Sequence, residues 1–203
     1  HEYYVTDVDL SSLETVGGNL YFRYLYDVTE LDLPELTSVG GTFYLYNLYD
    51  LEDLDIGALE TVGGNIQSEY MYYLQDFSAP SLTEVGGQIY IYGLYEVSSF
   101  DFSSLVDVGS SVYLYYNYSA ESADFSSLET VGGDLYLYYF GYDGDSDIDV
   151  EFPALTDVDG RLNLYRTGYY ADYTTLSFPV LESTESTYAE YVGYYAYEVD
   201  IDL

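Results

Sequence analysis

The sequence predicts an all-β, single-domain β-solenoid over residues 1–203, built of about eight 23-residue coils. Three observations predict it. Val-Gly-Gly or a close variant recurs at Val16-Gly17-Gly18, Val39-Gly40-Gly41, Val62-Gly63-Gly64, Val85-Gly86-Gly87, Val108-Gly109-Ser110, Val131-Gly132-Gly133 and Val158-Asp159-Gly160, and the first six are spaced by 23 every time. Leucine stands three residues before each Val, from Leu13 and Leu36 to Leu128 and Leu155. After each glycine pair, aliphatic and aromatic residues alternate with period two, as in NLYFRY (19–24), TFYLYN (42–47) and DLYLYY (134–139). Such alternation is the pattern of a strand with one face inside and one outside.

A second, shorter alternation occurs at Val8-Asp9-Leu10, Leu31-Asp32-Leu33, Leu54-Asp55-Ile56 and Phe100-Asp101-Phe102, and predicts another strand. All four prolines, Pro34, Pro80, Pro153 and Pro179, share one column just after it, with Ser11, Gly57, Ser103 and Ser126 at the equivalent places. These are turn residues, so the column marks a corner. Each repeat is thus expected to hold two strand segments and two bends. One such unit cannot bury its aliphatic face, but stacked units bury every column against its copies. The expected core columns start at Leu13, Val16, Leu20, Phe22 and Leu25. At about 4.8 Å per strand, about eight coils make a rod of roughly 40 Å. Residues 5–180 are regular apart from the insertion DGDS (143–146); residues 181–203 lose the Val-Gly-Gly signal and read as a divergent C-terminal cap or an added strand. Open edges remain at the ends, natural places for another subunit to add.

Charge restricts function. Asp and Glu number 37 against three Arg and no Lys, for a formal charge of −34 at pH 7. Nucleic acid and anionic membrane surfaces are excluded as partners, because they need basic groups. Self-repulsion of this size suits high salt or abundant divalent cations, since 1 M salt screens charges within about 3 Å. No cysteine is present, so disulfides and thiolate chemistry are absent, and no apolar run is long enough to span a bilayer. A cleaved export signal or a trimmed chain both account for a start at His1. With one histidine, at the terminus, nucleophilic triads and histidine metal centres lack material, and the chain is not expected to be an enzyme. A carboxylate-based glycosidase is the third-ranked alternative.

The surface columns are the candidate sites. If Leu20 and Phe22 point inward, their neighbours point outward and form two tyrosine columns: Tyr21, Tyr44, Tyr90, Tyr113, Tyr136 and Tyr46, Tyr92, Tyr115, Tyr138, Tyr165. A third column, Tyr26, Tyr49, Tyr72, Tyr95, Tyr118, follows at the next bend. The first two are interrupted in the third coil by Gln67 and Glu69, either as a binding feature or as drift of the repeat. Aromatic ladders suit strands on structural grounds alone, yet a contiguous aromatic patch also marks interaction surfaces. The second strand carries an acidic column, Asp9, Asp32, Asp55, Asp101, Asp124 and Glu151, interrupted by Ser78. Bound cations would relieve its repulsion; solvent and salt would also suffice. Asp143, Asp145, Asp147, Asp149 and Glu151 form a candidate calcium loop, although it lacks the glycine and terminal Glu placement of a calcium-loop consensus. No other cofactor is expected. Asn117-Tyr118-Ser119 is a glycosylation sequon, although Asn117 lies in an otherwise aliphatic column, where outward rotation or an internal polar contact would account for it.

The run LPELTSVGGTFYLYNLYDLEDLDI (33–56) resembles the leucine-rich, β-helical repeats of receptor L domains and related cell-surface proteins. The resemblance covers about residues 5–180, and it departs in lacking flanking cysteines, in its acidity and in its tyrosines. It implies right-handed coils and a secreted or cell-surface, non-catalytic module for ligand recognition, adhesion or wall structure. Two functions follow as expectations: a structural protein self-associating into an oligomer or filament through its tyrosine face and open ends, and, as the alternative, a module binding a glycan or protein ligand.

Overall fold

The computed structural model describes residues 5–143 and 146–202. It is all-β, with no helix among the described residues, and it winds through about eight coils of parallel strands. Each of the first six coils holds three strand segments rather than the two expected. In the second coil these are Ser38–Val39, Phe43–Tyr46 and Asp53–Asp55. The extra segment is the two-residue stretch ending on the Val of Val-Gly-Gly. It is too short to show periodicity, but it pairs with its copies, as Ser38↔Thr61 and Val39↔Val62.

Like residues lie over like. Leu20 faces Phe43, Phe43 faces Ile66, and the column continues through Ile89, Val112, Leu135 and Leu162 to Thr187. The glycine pair makes this approach possible. A Cβ on Gly40 would lie 2.6 Å from the Gly17 carbonyl oxygen, and one on Gly63 would lie 2.6 Å from that of Gly40. The residue after the pair then secures the next coil: Asn19 Oδ1 accepts from the Thr42 N–H at 2.8 Å, and Asn65 Oδ1 from the Gln88 N–H at 2.9 Å. In the seventh coil Asp159 replaces the first glycine, and the two segments join as one strand, Asp157–Tyr165, whose register against the next coil shifts between Val158 and Arg161. That strand merges the short-strand and long-strand sides into one 14-stranded sheet. The divergent C-terminal segment follows it: Ser183–Glu190 pairs with Asp157–Tyr165, and Glu198–Asp202 with Tyr173–Ser177.

The third side carries a six-stranded sheet from Asp76–Ser78 to Glu198–Asp202 and a separate pair, Glu30–Asp32 with Asp53–Asp55. Inside, the predicted columns are buried almost without exposure from Leu31 to Phe178. The corner column ends in a phenylalanine stack. Phe102, Phe125, Phe152 and Phe178 lie at centroid spacings of 5.2, 5.2 and 4.8 Å, each nearly parallel to the next.

The corner explains the acidic column. Each corner is a turn closed by an N–H three residues on, as from Leu36 to the Leu33 carbonyl, with proline, serine or glycine at the second position. The N–H at that second position points out of the turn. Where it exists, the aspartate two residues earlier accepts it: Ser11 to Asp9 at 3.2 Å, Gly57 to Asp55 at 3.0 Å, Ser103 to Asp101 at 3.0 Å and Ser126 to Asp124 at 2.9 Å. At Pro34, Pro80, Pro153 and Pro179 there is no N–H to satisfy. Aspartate and proline are thus two solutions to one backbone problem. A double-mutant cycle tests this. Asp55→Ala alone is expected to destabilise the protein by about 1 kcal/mol, and with Gly57→Pro in place to be neutral or stabilising, since only repulsion from Asp32 remains. Denaturant midpoints of the four chains give the coupling, and additive effects would refute the shared role.

Candidate functional site

The tyrosine face begins with the alternation of the long strands. In Phe43–Tyr46 and its copies, residues alternate buried and half-buried. Tyr44, Tyr46, Tyr90, Tyr92, Tyr113, Tyr115, Tyr136, Tyr138 and Tyr165 are half-buried on the outer side, and Tyr21, on the edge strand, is exposed. The rings pack on one another up the stack: Tyr21 and Tyr44 at 6.0 Å, Tyr113 and Tyr136 at 5.3 Å, Tyr115 and Tyr138 at 5.6 Å, and Tyr138 and Tyr165 at 4.9 Å. Cross-strand aromatic pairs of this kind contribute about 0.2–1 kcal/mol each.

A further column is not legible in the sequence. At the end of each long strand, just after it or, for Tyr70 and Gly93, at its last residue but one, a residue takes a left-handed backbone conformation: Tyr24, Asn47, Tyr70, Gly93, Tyr116, Tyr139, Arg166 and Tyr191, with φ between 55° and 66°. Bulky side chains rarely accept this region, at a cost of about 1–2 kcal/mol per residue. Here it turns the ring back onto the wall. Tyr116 lies 5.2 Å from Tyr92, 5.5 Å from Tyr138 and 5.2 Å from Tyr139.

This column repairs the break in the third coil. Gln67 and Glu69 do replace the wall tyrosines there, standing opposite Tyr44 and Tyr46 on one side and Tyr90 and Tyr92 on the other. Tyr70 bridges the gap, 5.8 Å from Tyr46 and 5.2 Å from Tyr92. The aromatic wall is therefore continuous from Tyr21 to Tyr191, which lies 6.0 Å from Tyr165. The third predicted column also extends further than its period shows. Tyr49, Tyr72, Tyr95 and Tyr118 stack in order, and the column continues through Tyr142 and Tyr169 to Tyr194. The steps to Tyr142, Tyr169 and Tyr194 are 24, 27 and 25 residues, so a fixed spacing of 23 does not find them.

All three arginines sit on this wall. Arg23 lies 4.7 Å from the Tyr21 ring centroid and 4.9 Å from that of Tyr44, Arg161 lies 5.9 Å from Tyr136, and Arg166 lies between 5.1 and 5.4 Å from Tyr139, Tyr165, Tyr169 and Tyr191. Among the described residues the one ion pair is Arg161 with Asp134, at 3.5 Å. Glu69 is the lone carboxylate at the centre of the wall. It accepts a hydrogen bond from the Tyr44 hydroxyl at 3.2 Å. Burial, then the charge of Glu69 and this hydrogen bond, push the Tyr44 phenol up to about 12. Burial first and neighbouring phenols next raise Tyr92 and Tyr115 as well.

Asp143 is exposed, its N–H donating to the Tyr118 carbonyl oxygen; Asp147 is exposed; Asp149 and Glu151 lie on the outer face of the strand Ile148–Glu151. Asp145 lies outside the described residues. No group of three or more metal-binding side chains occurs among the described residues. Asn117 corrects the sequon reading. It is fully buried, its Oδ1 accepts from the Leu94 N–H at 3.2 Å, and its Nδ2 is enclosed without a partner, so the folded chain has no room for a glycan there. The internal polar contact is what its place in an aliphatic column means.

No protein-family model, curated protein or solved structure matches this chain. No helix of the described residues is long and apolar enough to cross a membrane.

The raised phenols make stability pH-dependent. Tyrosine titrates near 10 in an unfolded chain, and the folded protein holds the Tyr44 proton more tightly. Its contribution is therefore whole below pH 10 and is lost as pH rises through about 12. Glu69→Gln is expected to move the Tyr44 midpoint downward without returning it to 10, since burial is the larger cause. An NMR titration of ring-labelled tyrosine, assigned with Tyr44→Phe, reads the shift; an unmoved midpoint would show that the Glu69 charge does not act there.

Proposed function

We propose that the chain is a non-catalytic structural protein of the cell surface or extracellular space, a subunit that self-associates through its tyrosine wall and open coil ends. The observation that carries this reading is the wall itself: rings in unbroken contact from the first coil to the last, half exposed, on a face that no other element of the described residues covers. Tyrosine offers rigid apolar area with a polar tip, which suits association surfaces. Support also comes from the likeness of the repeat to receptor L domains. The carboxylates are spread along repeated columns and turn corners, an arrangement suited to turn closure and solubility. With a net charge of −34, copies repel in dilute buffer, so self-association calls for a salty or cation-rich medium.

A second reading, a glycan-binding module, draws on Gln67 and Glu69, hydrogen-bonding groups framed by Tyr44, Tyr46, Tyr90 and Tyr92. Sedimentation and negative-stain imaging across a salt series separate the two. Oligomers or filaments that grow with ionic strength are expected; a strictly monomeric species at every salt concentration would overturn self-association. Monomers that bind on a glycan array and lose binding with Tyr92→Ala and Tyr115→Ala would establish the second reading instead.

A further inference from the structure

Where the tyrosine wall holds a cation, the chain supplies that cation itself. Arg161 shows the fullest arrangement. Its guanidinium lies 5.9 Å from the Tyr136 ring centroid while its Nε stands 3.5 Å from Asp134 Oδ1, so a phenol and a carboxylate hold one planar cation together. Arg23 rests on two rings and Arg166 on four. The third coil offers the same two components without the cation. Glu69 stands among tyrosines, and among the described residues no arginine comes within ion-pair distance of it.

Two rings of the wall are missing there. Tyr44 and Tyr90 stand two strand spacings apart, roughly 9 to 10 Å, with Gln67 between them, and Tyr46 and Tyr92 flank Glu69 in the same way. Tyr90 and Tyr92 lie nearly parallel, 11° apart, and Tyr44 and Tyr46 are tilted by 38°, so each side of the recess is a panel of two rings. Tyr70 closes the recess beside Glu69, 5.8 Å from Tyr46 and 5.2 Å from Tyr92. The layer left over Gln67 is as thick as the ring it lacks, and it admits one flat group. Glu69 acts on both panels: burial comes first in raising the phenols of Tyr44, Tyr46, Tyr90 and Tyr92, and the Glu69 charge contributes at all four. Among the described residues its carboxylate accepts one hydrogen bond, from the Tyr44 hydroxyl, which leaves most of its lone pairs open.

We propose that this recess binds the guanidinium of an arginine side chain carried by a basic partner protein, held between the two tyrosine panels and paired with Glu69. The chain's own three arginines are already seated on rings, so the group comes from a different protein, and a net charge of −34 draws basic partners in. Arginine fits better than lysine. Its planar fork can engage a carboxylate at two points and stack on aromatic faces, whereas an ammonium is compact and strongly hydrated. The inference goes beyond the self-association and glycan readings and depends on neither.

The test titrates acetyl-Gly-Arg-Gly-amide, and separately its lysine counterpart, into the full chain at one fixed low ionic strength, where copies repel. Ring signals of labelled tyrosine, assigned with Tyr92→Phe, report binding by NMR. The arginine peptide is expected to saturate, and the lysine peptide to bind about fivefold more weakly or worse. Glu69→Gln is expected to weaken the arginine peptide by about tenfold. Glu69→Tyr, which gives the third coil the residue its neighbours have at Tyr46 and Tyr92, is expected to abolish binding without lowering the melting midpoint. Glu52→Gln removes an equal charge at an exposed position away from the recess and is expected to leave the affinity unchanged. Equal affinity for the two peptides, or equal weakening by Glu69→Gln and Glu52→Gln, would reveal general attraction to an acidic surface and overturn the site. An arginine peptide that never saturates would overturn it too.

Discussion

Everything in this molecule depends on coils stacking in residue-for-residue register at one strand spacing. The glycine pair permits it: where Gly40 meets the carbonyl of Gly17, any side chain would push the coils apart. Outside the corners, parallel pairing then carries backbone hydrogen bonds from coil to coil, and the aliphatic columns close behind it. A domain of this kind gains stability as a sum over neighbouring layers, and it has no centre apart from the stack.

Register has a consequence for surfaces as strong as its consequence for the core. Whatever residue type the repeat places outward is multiplied into a column. Tyrosines become a wall whose rings touch throughout, and aspartates become a ladder of like charges. The ladder persists because each of Asp9, Asp55, Asp101 and Asp124 closes a corner, so local hydrogen bonding outweighs repulsion that solvent screens. Tyr24, Tyr70, Tyr116, Tyr139 and Tyr191 take left-handed backbone conformations on this wall, where ring contacts work against the backbone strain. A surface that repeats is what supports the proposal of an assembling subunit.

Much of this is legible in the residues alone. Period-two alternation and the 23-residue columns determine the β-solenoid, the inward set from Leu20 to Leu162, and the outward tyrosines from Tyr21 to Tyr165, because side-chain direction in a strand follows from position alone. Proline, serine and glycine in one column determine the corner. The third strand segment is hidden because two residues carry no period, and the sharing of corners between Asp and Pro is hidden because its hydrogen bond spans a turn.

Only the tertiary structure decided the rest, and always where contact depends on backbone rotation or on neighbours far along the chain. Left-handed residues such as Tyr70 look like ordinary strand continuations in the sequence, yet their rotation closes the gap at Gln67 and Glu69. Burial turned Asn117 from a candidate glycan acceptor into an internal partner of Leu94. The arginines, scattered in sequence, were gathered onto tyrosine rings by the stack. A sequence determines what recurs; three-dimensional packing decides what each recurrence touches.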